Sequence, residues 1–457
     1  MMNQFYNTYR PYFIKTLQLS YPIVIGQLGI VLMGVADIVM IGKLDAVNLA
    51  AASLANSVFF LIAILGIGTL TAISPLVAKS KAEGHNNECA ILFRQGMWSA
   101  LILSVFIGIV LFVLAENLEW FGQSERVTLL TKNYLHILNA GVLPMLIFMA
   151  VKQFSDGLGI TKPSAVITMI ALLLNVFLNW VLIYGKFGLP ELGLFGAGIA
   201  TSLSRLVMAV MMYLYVRFHQ MYQHFHHLKQ HDHDIIWLKK IFQIGLPSGF
   251  QYFFEVGAFA FAAIMIGWIG EYELAAHQVA INIASVTYMI ATGLSAGGSI
   301  AVGDALGRRN RQDIIRSGYS AMIMATAFMG VCALVFSLFN HWIVGLYIND
   351  LHVEEMAAGL LIIAAFFQLS DGIQCVGLGI LRGIGDTKIP TVITIIAYWV
   401  IGIPIGYYLG FKTGLSLYGI WISLSIGLSF SALLLTFRFK KRSRLIDLNY
   451  HSSINEH

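Results

Sequence analysis

Charge is what this sequence has least of. Lys, Arg, Asp and Glu make up 11% of its 457 residues, while 58% are hydrophobic. A soluble chain carries about 25% charged residues, so lipid is expected to solvate most of this surface. Proline is also scarce, with nine residues, which argues against a loop-rich architecture. The 43 glycines suit helices that pack closely inside a membrane. Three cysteines, Cys89, Cys332 and Cys375, form no spaced pair, so neither a disulfide framework nor a zinc site is expected. The phosphate-cradling pattern GxxxxGK followed by Ser or Thr is missing, which excludes ATP as the energy source. No HExxH or Ser-His-Asp pattern marks an intramembrane enzyme. The net charge of +5 does not require a nucleic-acid partner, because basic residues collect on the cytoplasmic side of membrane proteins.

What is present is a series of long apolar runs. Twelve reach spanning length, near 17–41, 51–77, 95–115, 134–157, 163–184, 194–216, 244–269, 279–303, 317–339, 356–381, 390–410 and 417–437. About 20 such residues in a helix cross a bilayer. The first run outlasts a signal-peptide core and no A-x-A-like site follows it, so it is expected to remain as a span. With the N-terminus on the cytoplasmic side, 21 of the 28 Lys and Arg fall on that side and five on the other. That bias predicts both termini inside. Lys152 and Arg205 fall within spans.

The chain divides at its longest polar stretch, 217–243, and the two halves resemble copies. LSYPIVIG (19–26) aligns with IGLPSGFQ (244–251) through Pro22 and Pro247 at an offset of 225. Gly157, Gly159, Thr161 and Lys162 align with Gly383, Gly385, Thr387 and Lys388 at 226. Six spans per copy is an even number, so both copies have the same orientation. The expected fold is all-α and integral to the membrane, twelve transmembrane helices in two six-helix parallel repeats. The expected domains are an N-terminal lobe (1–216), a cytoplasmic linker (217–243) and a C-terminal lobe with a basic tail (244–457). Parallel repeats are a common transporter design with the binding site between the halves. A duplicated channel would share the repeat, although channels more often close rings of subunits.

Ionisable residues inside the spans are the functional candidates, since each is expensive there. Pro247 to Trp268 is apolar except for Ser248, Gln251, Tyr252 and Glu255. Glu255 lies ~16 Å along the seventh span, near its middle. Asp371 lies near the middle of the tenth, and the two acids would together suit a cation or a proton. Asp37 lies in the outer part of the first span. Asn175 and Asn179, at i and i+4 on the fifth, face one way and reach a similar depth. An acid with amide oxygens is suitable chemistry for Na⁺ or for a protonated acid, while two Asn that only join neighbouring helices would look the same. Asp156, with Lys152 four residues before it, reads as a structural pair near the cytoplasmic end. Glu255 and Asp371 correspond to Ile30 and Met145 in the first half. Tyr252, Phe253, Phe254, Phe366 and Phe367 are core by default, or a wall that stacks on flat organic cations. His277 beside Gln278 reads as a hydrogen-bonded packing residue. The histidines at 219–233 read as a solvated connector rather than a metal site.

At this point the chain resembles the multidrug and toxic compound extrusion (MATE) family, within it the NorM-like branch, and the wider MOP superfamily architecture. The resemblance is carried by MGVADIVMIG (33–42), SDGLGITKP (155–163), LNVFLNWVLIYGKFG (174–188), FFEV (253–256), AAHQVAIN (275–282) and LRGIGDTK (381–388). It implies a secondary transporter of the bacterial cytoplasmic membrane, not an enzyme, with no cofactor besides its coupling ion. Small organic cations would leave in exchange for inward Na⁺ or H⁺, by alternating access of two lobes. The resemblance assigns Glu255 and Asp371 to cation and drug binding; Tyr252, Phe253, Phe254 and Phe367, from their place beside these acids, are the expected substrate-binding aromatics. It assigns Asp37, Asn175 and Asn179 to a cation or proton site in the N-terminal lobe. Other branches have a further acid on helix five, where this chain offers only amides. Membrane lipid is the expected surrounding partner and a monomer the expected working form. A flippase for lipid-linked oligosaccharide shares this architecture but should hold more cationic residues at mid-membrane, where Arg205 stands alone. A non-transporting membrane protein would have no need of mid-membrane acids.

Overall fold

The computed structural model describes residues 2–225, 234–348 and 350–446. Among them helix is the only regular structure, as a bilayer demands of a chain whose backbone must bond to itself. Twelve helical segments are long and apolar enough to cross a membrane. They are α1 (Asn7–Ile41), α2 (Ala46–Ala82), α3 (Asn86–Glu116), α4 (Glu125–Gly157), α5 (Lys162–Ile183) and α6 (Gly193–Phe218). The second series is α7 (Ile235–Gly267), α8 (Glu271–Gly307), α9 (Arg311–Gly345), α10 (Leu351–Gly383), α11 (Lys388–Lys412) and α12 (Ser416–Leu445). Ten of them contain an expected span whole, while α5 and α7 end one and two residues short of the expected 163–184 and 244–269. The protein is integral to the membrane.

Several helices run past their apolar stretches to a polar side-chain cap. Asp45 accepts the Asn48 N–H at 2.7 Å, and Asp350 accepts those of His352 and Val353 at 2.9 and 3.1 Å. Such caps satisfy backbone donors that have no partner inside the helix. The bond from Asn48 holds the Asp45 carboxyl below its usual range. Four helices are irregular within their length, α9 among them with a kink at Phe339. α2 has a turn at Thr71, α4 breaks at Gly141, and α11 opens into a π-helix over Ile396–Gly402.

The chain forms two compact units. The first comprises Tyr21–Val77 and Asn86–Gly257; the second comprises Met1–Ser20, Ala78–His85 and Ala258–His457. α1 and α7 therefore each contribute to both. The core of the first unit gathers Leu135, Leu146, Phe148, Phe154 and Met212. That of the second gathers Leu361, Phe367, Tyr398, Trp421 and Leu428.

The internal repeat is visible in contacts as well as in letters. A Cβ on Gly157 would lie 2.5 Å from the Ser74 carbonyl oxygen and 2.7 Å from the Val77 Cβ. A Cβ on Gly383 would lie 2.7 Å from the Ser299 oxygen and 3.0 Å from the Val302 Cβ. Ser74 and Val77 correspond to Ser299 and Val302 at the offset of 225. Each half thus uses one glycine to let two helices touch backbone to backbone. Gly157→Ala and Gly383→Ala should each cost about 1–3 kcal/mol by overpacking. Gly34→Ala, where nothing lies within 4 Å, should not destabilise. Thermal unfolding of the detergent-purified variants tests this, and equal midpoints for all three would overturn it.

Candidate functional site

The polar groups of the first unit converge on Asp37. Glycine lets α1 and α5 approach closely: a Cβ on Gly26 would lie 3.7 Å from the Ala165 Cα, and one on Gly29 would lie 3.0 Å from the Thr168 Cγ2. Farther along in the same direction, the Tyr184 hydroxyl donates to the Met40 carbonyl at 2.8 Å. The two helices therefore run parallel, and between these contacts Asp37 meets Asn179. Asn179 Nδ2 donates to Asp37 Oδ1 at 2.5 Å and to Asn175 Oδ1 at 3.2 Å. The other carboxylate oxygen accepts from Thr201 Oγ1 of α6 at 2.8 Å. Asp37 is 5% exposed, and both Asn are fully buried.

This arrangement gathers the three residues picked from the sequence and adds a fourth, Thr201. Both carboxylate oxygens are held by neutral donors, so the charge is solvated but not neutralised. Asn179 Oδ1 accepts no hydrogen bond among the described residues. Carboxylate, amide and hydroxyl oxygens in one place are the donor set a hard cation takes, and a carboxylate so placed is also able to take up a proton.

Arg205 lies one turn beyond Thr201 on α6, its guanidinium carbon 4.5 Å from the centre of the Phe59 ring. Its Nη1 is buried and makes no hydrogen bond among the described residues. Asp37 and Tyr134 are both close enough to act on its charge. A guanidinium over an aromatic face is favourable by about 1–2 kcal/mol when desolvated, and that contact is the one the sequence left unassigned.

Glu255 also lies in the first unit. It is 5% exposed, and Gln251 Nε2, one turn earlier on α7, donates to its Oε2 at 3.4 Å. Tyr252, Phe253 and Phe254 are half-buried around it in the chain, and the rings of Phe253 and Phe254 meet edge to face at 5.6 Å. Asp371 belongs to the second unit, 6% exposed on α10. Gln368 and Gln374 flank it at three residues on either side. Gln368 Nε2 donates to Thr287 Oγ1 of α8 at 2.8 Å, and Gln374 Oε1 accepts from the Tyr398 hydroxyl of α11 at 3.2 Å. The sequence reading missed this polar strip; Gln at i−3 and i+3 from a mid-membrane acid was the signal that would have found it. Phe367 is packed in the core, edge to face with Trp421 at 5.9 Å, while Phe366 is 75% exposed. His277 Nδ1 accepts from Trp421 Nε1 at 3.1 Å, the packing role expected of it.

Of the histidine-rich connector, His226, His227, His231 and His233 lie outside the described residues. His219 stacks on Tyr215 at 4.7 Å. Nearby, the buried Tyr222 hydroxyl is 2.7 Å from Ser155 Oγ, and burial pushes that phenol's pKa up.

The MatE family model matches residues 22–181 and again 247–408. A probable multidrug resistance protein NorM of Rhizobium meliloti (strain 1021) is 34% identical over 446 residues, 96% of each chain. Multidrug resistance protein MdtK of Yersinia pseudotuberculosis serotype O:1b (strain IP 31758) is 35% identical over 430 residues, 93% of this chain and 94% of that one. The crystal structure of the eukaryotic MATE transporter AtDTX14 superposes with a TM-score of 0.86 at 20% identity, covering 95% of this chain and 98% of the other. An outward-facing multidrug resistance MATE family transporter of the MOP superfamily gives a TM-score of 0.84 at 21% identity over 96% and 97%. These two likenesses establish the fold.

Lys152 and Asp156 form the structural pair that their spacing suggested. Lys152 Nζ lies 2.6 Å from Asp156 Oδ2, and Ser164 Oγ donates to the other oxygen at 3.4 Å. The pair is buried, with side-chain exposures of 5% and 1%. Lys152→Met alone should cost about 3–5 kcal/mol by stranding a buried carboxylate. Lys152→Met combined with Asp156→Leu should recover most of that loss. Unfolding midpoints measure both, and a double variant as unstable as the single would contradict a closed pair.

Proposed function

The chain belongs to the MatE family, a secondary transporter and not an enzyme, and on that premise we propose an antiporter that expels organic cations in exchange for inward Na⁺ or H⁺. Multidrug efflux is its activity. The observation that carries the antiport reading is Asp37, a buried carboxylate held by Asn179 and Thr201 without a cationic hydrogen-bond partner. A carboxylate hydrogen-bonded only by neutral donors keeps its charge available for a cation, whereas one closed by a lysine hydrogen bond does not.

Glu255 and Asp371 are the acids assigned to the organic cation and its coupling ion, and Asp37 with Asn175, Asn179 and Thr201 forms a coupling-ion site. Tyr252, Phe253 and Phe254 would supply aromatic faces to a flat cation. The lobes alternate access to the two sides of the membrane, and the coupling ion favours one state through its differential affinity. Each charge moving down 100 mV contributes about 2.3 kcal/mol. Both termini face the cytoplasm of a bacterial inner membrane, as the distribution of Lys and Arg supports.

The test is efflux of ethidium from loaded inner-membrane vesicles or cells, with a Na⁺ gradient and a pH gradient imposed separately. Asp37→Asn, Glu255→Gln and Asp371→Asn should each lower efflux about tenfold or more, the scale of a lost charge-assisted contact. Drive by Na⁺ alone identifies a Na⁺ site, and drive by the pH gradient alone identifies proton carriers. Full efflux in all three variants, or none from the wild-type chain under either gradient, would refute the antiport reading. Thr201→Val should weaken coupling less than Asp37→Asn, since it removes one neutral donor of two.

A further inference from the structure

From Lys388 to Leu409, α11 contains one residue more than the matching stretch of α5, and the structure shows where it went. The halves run at an offset of 226 at Lys162 and Lys388. Farther along the offset is 227. Gly196 packs on the backbone at Leu182 and Gly419 on the backbone at Leu409, which makes Leu182 and Leu409 counterparts 227 residues apart. The extra residue therefore entered α11 between 388 and 409. α5 is an α-helix from Lys162 to Ile183 without interruption. α11 carries the π-helix over Ile396–Gly402, which accommodates an added residue as a local bulge and recurs at functional sites.

Tyr398 sits in that π-turn. It is fully buried, its ring lies 5.8 Å from Phe259, and its hydroxyl donates to Gln374 Oε1 at 3.2 Å. Gln374 is fully buried and lies one turn from Asp371 on the same face of α10. At the offset of 226 the counterparts of Asp371, Gln374 and Tyr398 are Met145, Phe148 and Leu172, all apolar. The inserted residue, the hydroxyl, the amide and the acid occur together in one half and are all missing from the other.

We infer that the π-turn of α11 is a positioning device for the Asp371 site, in which Tyr398 fixes the Gln374 amide beside the carboxylate that receives the organic cation. Tyr398 engages the amide oxygen, so the NH₂ group is the part of Gln374 offered to the carboxylate. A donor there supports the ionised acid, which is the form that attracts a cation. Tyr398 is a positioning residue that acts through Gln374. The inference rests on the reading of Asp371 as part of the substrate site.

The test uses the full chain in vesicles, with ethidium efflux measured against ethidium concentration. Tyr398→Phe and Gln374→Leu should each raise the half-saturating concentration about threefold to tenfold, the scale of one net hydrogen bond, with little change in maximum rate. The double variant should be no worse than the poorer single one, because both changes break the same contact. In an Asp371→Asn background neither should have a further effect. Deleting Val400, which removes the added residue from α11, should raise the half-saturating concentration at least as much as Tyr398→Phe. Tyr407→Phe, at an exposed tyrosine of the same helix, is the control. If the deletion does not accumulate in the membrane, the point-variant cycle decides. Unchanged half-saturation in Tyr398→Phe and Gln374→Leu, or strictly additive effects, would overturn the inference while leaving the antiport reading intact. Variants that lose thermal stability without any shift in half-saturation would likewise make the contact merely structural. A wild-type chain that neither exports nor binds ethidium would remove the substrate role of Asp371, and this inference with it.

Discussion

A bilayer offers no water to a polar side chain at its middle, so whatever this protein places there must be answered from within. That constraint explains why so few polar residues sit in the spans and why the acids among them are placed beside other polar groups. The distinction that matters is how each charge is answered. Asp156 is answered by an opposite charge, Lys152 at 2.6 Å. The pair is neutral as a unit and has nothing left to bind. Asp37 is answered by an amide and a hydroxyl, which solvate the carboxylate and leave its charge in place. Two aspartates on apolar helices of the same unit thus differ in chemistry because of their neighbours alone.

The duplication adds a second layer. Backbone contacts such as Gly157 on Ser74 and Gly383 on Ser299 repeat in both halves, because helix spacing has to be the same wherever the fold is the same. The buried acids and amides do not repeat. Asp37 corresponds to Ala262, and, past the π-turn, Asn175 and Asn179 correspond to Gly402 and Gly406. In the other direction Glu255 and Asp371 correspond to Ile30 and Met145. The packing that makes the fold was kept in duplicate, while each half carries its own set of acids. Small residues at helix contacts serve shape, and one shape serves both halves. A charge in lipid is costly, so it stays only where it has a use.

Much of this was legible beforehand. Apolar runs of spanning length gave the helices in number and place, since hydropathy records the solvent of each segment directly. Residues at i and i+4 must share a helix face, which made the Asn175–Asn179 couple and the Lys152–Asp156 pair readable. Thr201 was not readable. Hydroxyls in membrane helices ordinarily bond back to their own helix, as Thr69, Ser99, Thr168 and Ser204 do here at 2.7–2.8 Å, and nothing in the letters sets Thr201 apart. The ring beneath Arg205 was hidden for the same reason, because Phe59 and Arg205 come from different helices.

The sequence by itself determined the medium, the number of spans, their helical form and the duplicated plan. All of these follow from local composition and period, because a bilayer selects for hydrophobicity along each segment. Only the tertiary structure decided which polar groups meet. It set Thr201 on Asp37, Tyr398 on Gln374 and Trp421 on His277, and it divided α1 and α7 between the two units. A hydrogen bond depends on distance and direction to tenths of an ångström. The register between helices that come together only on folding supplies both.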